Sequence, residues 1–121
     1  MNNLRQTIYS YLLMCGLSPV HKGFKLLIEA VILILQSDFK LKSLQSGVYS
    51  VLAKKYGIKP DTAQKDIKNA IDYAGLNGDL DFFSREFQHV MSPQGSVSTA
   101  AFLYSVANAM REQFAAAQCL L

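Results

Sequence analysis

The stretch from Val48 to Ala74 constrains this chain most, because it reads as two helices joined by a turn of a few residues. The first half carries Val48, Tyr49, Val51, Leu52, Ala53 and Tyr56 and stops at Gly57. The second starts near Pro60 or Asp61 and carries Ala63, Ile67, Ala70, Ile71 and Ala74. At about 100° per residue those five side chains share one helix face. Ala53 lies four residues before Gly57. A small residue there allows two helices to cross closely, and a glycine ends the first helix in a left-handed cap. The pattern fits a helix-turn-helix, and equally an ordinary helical hairpin within a bundle.

The opposite face of the second helix decides what such a hairpin could touch. Asp61, Thr62, Lys65, Lys68, Asn69 and Asp72 project outward, with Gln64 at the margin. Thr, Gln, Lys and Asn can read base edges or hold phosphates in a major groove. The same set describes any solvated helix face, and aspartates at both ends repel phosphate.

The hairpin needs a core to stand on, and 121 residues, half of them hydrophobic, supply one domain's worth without metal or disulfide. The net charge of +3 is modest, but its distribution is uneven. Residues 1–60 hold eight Lys/Arg against Glu29 and Asp38, whereas residues 61–121 hold four against seven acids. A one-sided electrostatic footprint would produce such a split. Cys15 and Cys119 have no metal spacing and read as reduced thiols. No signal peptide opens the chain, and the apolar run Leu26 to Leu35 contains Glu29 and falls short of the ~20 residues of a membrane span. The expectation is a soluble cytoplasmic protein with no membrane association.

In chain order, residues Asn3 to Cys15 form a first helix stopped by Gly16, followed by a connection in which Ser18 can cap and Pro19 can open a helix. His21 reads as a surface histidine, and Gly23 as the start of the main part of the helix or a point of close backbone approach to a partner. Phe24 to Gln36 is apolar almost all round and belongs at the centre of a bundle. Ser37-Asp38 ends it, and Ser43 is placed to cap the hairpin's first helix. After Ala74, Gly75-Leu76-Asn77-Gly78-Asp79 signals a turn. Asp79 or Asp81 can cap a short helix bearing Phe82, Phe83 and Phe87. A loop from His89 to Gly95 follows, and Ser96 or Ser98 starts the last helix. Its stripe of Phe102, Val106, Ala109, Met110 and Phe114, with the apolar tail Ala115 to Leu121, predicts a homodimer or partner chain there.

These residues carry a resemblance over about Ile8 to Arg111. Gly16-Leu17, Lys22-Gly23-Phe24, Leu27, Glu29 and Ala30, then Ala53-Lys54-Lys55-Tyr56, match one family in order and spacing. So do Ile67-Lys68, Ala70-Ile71, Ala74, Phe102, Val106-Ala107 and Met110-Arg111. The chain resembles the C-terminal effector domain of stage-zero sporulation protein A, a response regulator that commits cells to sporulation. The resemblance implies a single all-α, six-helix, bundle-like domain over 1–121, whose third and fourth helices form a helix-turn-helix. It also implies transcriptional control through double-stranded DNA at a promoter element, and pairing of domains on DNA.

Three departures from the family pattern stand beside the match. Its recognition helix is arginine-rich where this chain has Thr62, Lys65 and Lys68, with Gln64 at its glutamate position. Arginine is the commonest specific partner of guanine and lysine does not replace it, so the family's target sequence does not transfer. His21 stands one residue nearer the lysine than the family's histidine. The family's receiver domain is missing, so the sequence reads either as an excised domain or as a stand-alone protein not switched by its own phosphorylation, and Met1 with the unfamiliar apolar end favours the second.

Nothing in the chain has the form of a catalytic, cofactor or metal motif. Two readings remain. In the first, a DNA-binding regulator uses Thr62, Gln64, Lys65, Lys68 and Asn69 in the groove. Lys54, Lys55, Lys59 and Lys22 then lie on phosphates. In the second, a protein-interaction module of the same fold pairs with or antagonises a full-length regulator.

Overall fold

The computed structural model describes the backbone of residues 2–37, 40, 43–77, 80–93 and 97–119, and side chains over 3–37, 40, 43–75, 82–93 and 97–114. Six α-helices follow one another: α1 (Asn2–Met14), α2 (Lys22–Gln36), α3 (Ser50–Tyr56), α4 (Pro60–Asn77), α5 (Leu80–Phe87) and α6 (Thr99–Cys119). Among the described residues the one extended pairing is an antiparallel bridge between Met91 and Val97, so the fold is all-α.

The apolar run becomes α2, the central element. Nine of its residues are buried, and it packs against α4 on one side and α6 on another. Its start differs from the capping pattern of the sequence. Ser18 closes a turn instead, its carbonyl accepting the His21 N–H at 3.2 Å and its Oγ the Val20 N–H at 3.4 Å. The helix then begins at Lys22 without a side-chain cap. At its far end Ser37 Oγ donates to the Ile34 carbonyl at 2.7 Å.

Gly23 explains why α2 and α4 lie so close. A β-carbon there would stand 2.1 Å from the Asp66 carbonyl oxygen, so the helices cross backbone to backbone. The close approach is to the chain's own recognition-helix candidate.

The hairpin's first helix starts earlier than Val48. Ser43 Oγ accepts the Gln45 N–H at 3.1 Å, the capping role its position suggests. A π-helical turn over Gln45–Tyr49 then leads into α3, with Ser50 Oγ donating to the Gln45 carbonyl at 2.8 Å. The wider turn buries Val48 and Tyr49 together.

α5 brings Phe83 and Phe87 onto Phe102 of α6, with ring centroids 5.0 Å apart for Phe83–Phe87 and 4.7 Å for Phe87–Phe102. Ser98 Oγ accepts the Ala101 N–H at 3.1 Å and caps α6. Phe102, Leu103, Val106, Ala107 and Met110 are fully buried, so most of the last helix's apolar stripe is covered within the chain. Cys15 is buried too. The expected roles of Asp38, Asp79 and Asp81, and the tail from Ala115 to Leu121, lie outside the described side chains. No helix among the described residues is long and apolar enough to cross a membrane.

Candidate nucleic-acid interface

The turn between α3 and α4 is set by Gly57, whose φ of 66° and ψ of 35° lie in the left-handed region. The Ile58 N–H reaches back to the Ala53 carbonyl at 3.0 Å, the long reverse bond of a Schellman cap. Lys59 follows, and its carbonyl accepts the Ala63 N–H at 3.0 Å, which opens α4 at Pro60. Proline suits this first helical position because its missing N–H has no helical partner to lose. Asp61 in the first turn complements the positive end of the helix.

Packing fixes the orientation of α4. Ala63, Ile67, Ala70, Ile71 and Ala74 are all buried, the five positions that its periodicity singles out. Thr62, Gln64, Lys65, Lys68 and Asn69 are all exposed on the remaining surface. Three of the five buried residues are alanines, and α4 packs against α2 and α3, so the helix is held by backbone proximity as much as by side-chain bulk.

The expected phosphate contacts separate into two kinds. Lys22, Lys54 and Lys59 are exposed and make no ion pair among the described residues. Lys55 is different: its Nζ lies 3.2 Å from Glu29 Oε2, while Arg5 of α1 holds Oε1 of the same carboxylate at 2.6 Å. The Glu29 side chain is only 13% exposed. Partial burial pushes its carboxyl up, but the hydrogen bonds from Arg5 and Lys55 prevail and hold it below the usual range. Lys68 pairs loosely with Asp72 along α4 at 3.7 Å, both about half exposed, a contact of small energetic weight.

An open cleft runs beside α4, lined by Gln64 and Lys68, by Ser43, Gln45 and Tyr49 of the hairpin's entry, and by Thr99 at the start of α6. Burial, reinforced by Tyr104, pushes the Tyr49 hydroxyl up to about 12. His21 is half-buried and its ring centre lies 4.5 Å from that of Tyr73 of α4, the two planes tilted by 48°, a packing contact between the N-cap residue of α2 and α4.

Sequence reasoning passes over two basic residues that the fold places here. Lys25 Nζ sits 4.9 Å from the centre of the Tyr56 ring and Lys55 Nζ 5.6 Å, so both cations lie over one aromatic ring. Arg5 is the second. Glu29, the one charge inside an apolar run, was the available signal: a carboxylate so placed needs cationic partners.

Residues 8–110 match the family model described as Sporulation initiation factor Spo0A C terminal. That family is one of DNA-binding effector domains of sporulation regulators, not of enzymes. With most of its length matched, the chain belongs to the sporulation initiation factor Spo0A C-terminal family.

Proposed function

We propose that the 121 residues work as one helix-turn-helix unit that lays α4 in a major groove and regulates transcription at a promoter element. The observation that carries this is the two-sidedness of α4: five buried residues pin one face to the core, and Thr62, Gln64, Lys65, Lys68 and Asn69 line the exposed remainder. A recognition helix needs this combination, because base edges are read only by side chains whose backbone is held still. Lys54, Lys59 and Lys22 then take phosphates, which position the domain without reading sequence. With lysine and glutamine replacing the family's arginines and glutamate, this chain reads a promoter sequence of its own. A second copy would sit against the open side of α6, at Tyr104, Asn108 and Glu112.

Fluorescence anisotropy on genomic fragments at two salt concentrations tests the reading. A preferred fragment should emerge, with affinity falling as salt rises. The interaction-module reading draws on Asp61, Asp72 and the Lys68–Asp72 pair, which thin the positive charge of α4. It gains if no fragment binds in a salt-dependent way while a full-length regulator is retained by the immobilised chain.

A further inference from the structure

We propose that Glu29 is a built-in counter-anion that withholds Arg5 and Lys55 from the DNA backbone, and so limits sequence-independent binding. The inference rests on the DNA reading above and concerns how this chain keeps its specificity.

Three helices converge on one carboxylate. Arg5 of α1 and Lys55 of α3 occupy its two oxygens at 2.6 and 3.2 Å, one cation on each. The two cations are half exposed, at 50% and 51% of their side-chain surface, while the carboxylate between them is 13% exposed. That asymmetry decides the competition with phosphate. A phosphate oxygen that takes Lys55 must leave a partly buried carboxylate with one partner in place of two. Stripping a partner from a partly desolvated charge costs more than an exposed lysine gains by exchanging one anion for another. Lys54, the preceding residue in the last turn of α3, has no such competitor among the described residues and is available to phosphate at no such cost.

The consequence is functional as well as structural. Contacts with phosphates supply essentially all of non-specific affinity and none of the direct sequence information. Arg5 and Lys55 on Glu29, together with Lys25 beside Lys55 at the Tyr56 ring, would, uncompensated, add such contacts. One carboxylate held between Arg5 and Lys55 lowers that background while leaving the exposed face of α4 unchanged.

The test compares the salt dependence of binding to a scrambled duplex for wild type, Lys54→Gln, Lys55→Gln, Glu29→Gln and the Glu29→Gln/Lys55→Gln double variant. Heparin-column elution of the same proteins serves as a polyanion readout that needs no groove. Lys54→Gln should reduce the slope of log K against log salt by about 1, and Lys55→Gln should leave it nearly unchanged. Glu29→Gln should steepen the slope by about 1 to 2, tighten scrambled-duplex binding roughly three- to tenfold at low salt, and elute later from heparin. The double variant should lose about half of that gain. Loss of folding alone does not steepen a salt slope, and circular dichroism confirms which variants are folded.

If Lys55→Gln flattens the slope as much as Lys54→Gln, Lys55 already touches DNA and the proposal is overturned. That comparison stands even where Glu29→Gln fails to fold. A wild type with no salt-dependent duplex binding sinks the DNA reading instead. The heparin elution of Glu29→Gln then decides the masking alone, later elution supporting it and unchanged elution ending it.

Discussion

Gly23 and Asp66 meet backbone to backbone: a β-carbon on the glycine would lie 2.1 Å from the aspartate's carbonyl oxygen. The obstruction is main chain, so no rotamer change can relieve it. Gly23→Ala must push α2 and α4 apart, and overpacking of this kind costs on the order of 1–3 kcal/mol. Denaturant unfolding should report that loss, while Lys22→Ala next door stays within about 0.5 kcal/mol of wild type. Because α4 itself moves, DNA affinity should fall in Gly23→Ala even under conditions where the variant remains folded.

Gly57 presents the opposite case. A β-carbon there would meet nothing within 4 Å, but φ is +66°. Space is free and conformation is not. Gly57→Ala should therefore cost about 1–2 kcal/mol through the left-handed backbone alone. Gly57→Asn should cost less, since asparagine tolerates that region better. Equal losses for the two variants would mean that something other than the cap sets the turn.

Core substitutions along α2 should rank by burial. Leu27 and Ile34 are completely buried, while Leu33 and Leu35 are only partly so. Hydropathy alone does not separate them, and Leu33 or Leu35 is as natural a choice for the centre of the core. Leu27→Ala and Ile34→Ala should cost on the order of 2–5 kcal/mol, with Leu33→Ala and Leu35→Ala clearly less. Urea midpoints at constant slope decide the ranking.

Glu29 should leave a mark on acid stability. Its carboxyl titrates lower in the folded chain than in the unfolded one, because the Arg5 and Lys55 hydrogen bonds outweigh the opposing effect of burial. A depressed carboxyl contributes stability that is complete above its unfolded value of about 4.3 and is lost as pH falls through the folded value. Urea midpoints for wild type and Glu29→Gln should differ by a constant amount near neutrality and draw together as pH falls below the unfolded value and through the folded one. A gap that does not narrow at all with falling pH would mean that Glu29 stabilises by packing, not by charge.

Much of this architecture was legible because it rests on local rules. The five apolar positions of α4, the stop at Gly57 and the burial of α2 follow from periodicity and from glycine's conformational range. Long-range relationships were not legible in the same way. Nothing in the residues around Gly23 says that its partner is Asp66, forty-three positions away. The convergence of Arg5, Glu29 and Lys55 also depends on how three helices pack, although a lone glutamate in an apolar run signals that cations must come to it. The stripe on α6 predicted a partner, and within the chain α2, α4 and α5 already cover most of it, since a stripe records only that something covers it. The extra residue of the π-helical turn before α3 breaks the 3.6-residue period and hides the helix's true start.

The exposed surface of α4 yields the prediction that bears most directly on function. Lys54 and Lys59 flank the turn before α4, where this motif meets the sugar-phosphate backbone. Lysines on phosphate serve all sequences alike, so Lys54→Ala and Lys59→Ala should weaken preferred and scrambled duplexes by the same factor. Each should lower the salt slope by about 1. Gln64 and Lys65 stand on the exposed part of the first turns of α4, from which a recognition helix reaches base edges. Gln64→Ala or Lys65→Ala should cost roughly 1–3 kcal/mol on the preferred fragment and much less on scrambled DNA, relaxing the preference at one base position. Competition anisotropy against a panel of single-base variants separates the two patterns. If the Lys65→Ala/Lys68→Ala double variant keeps both its DNA preference and its regulatory effect, α4 does not read the groove. The helix-turn-helix would then serve as a scaffold for a protein partner.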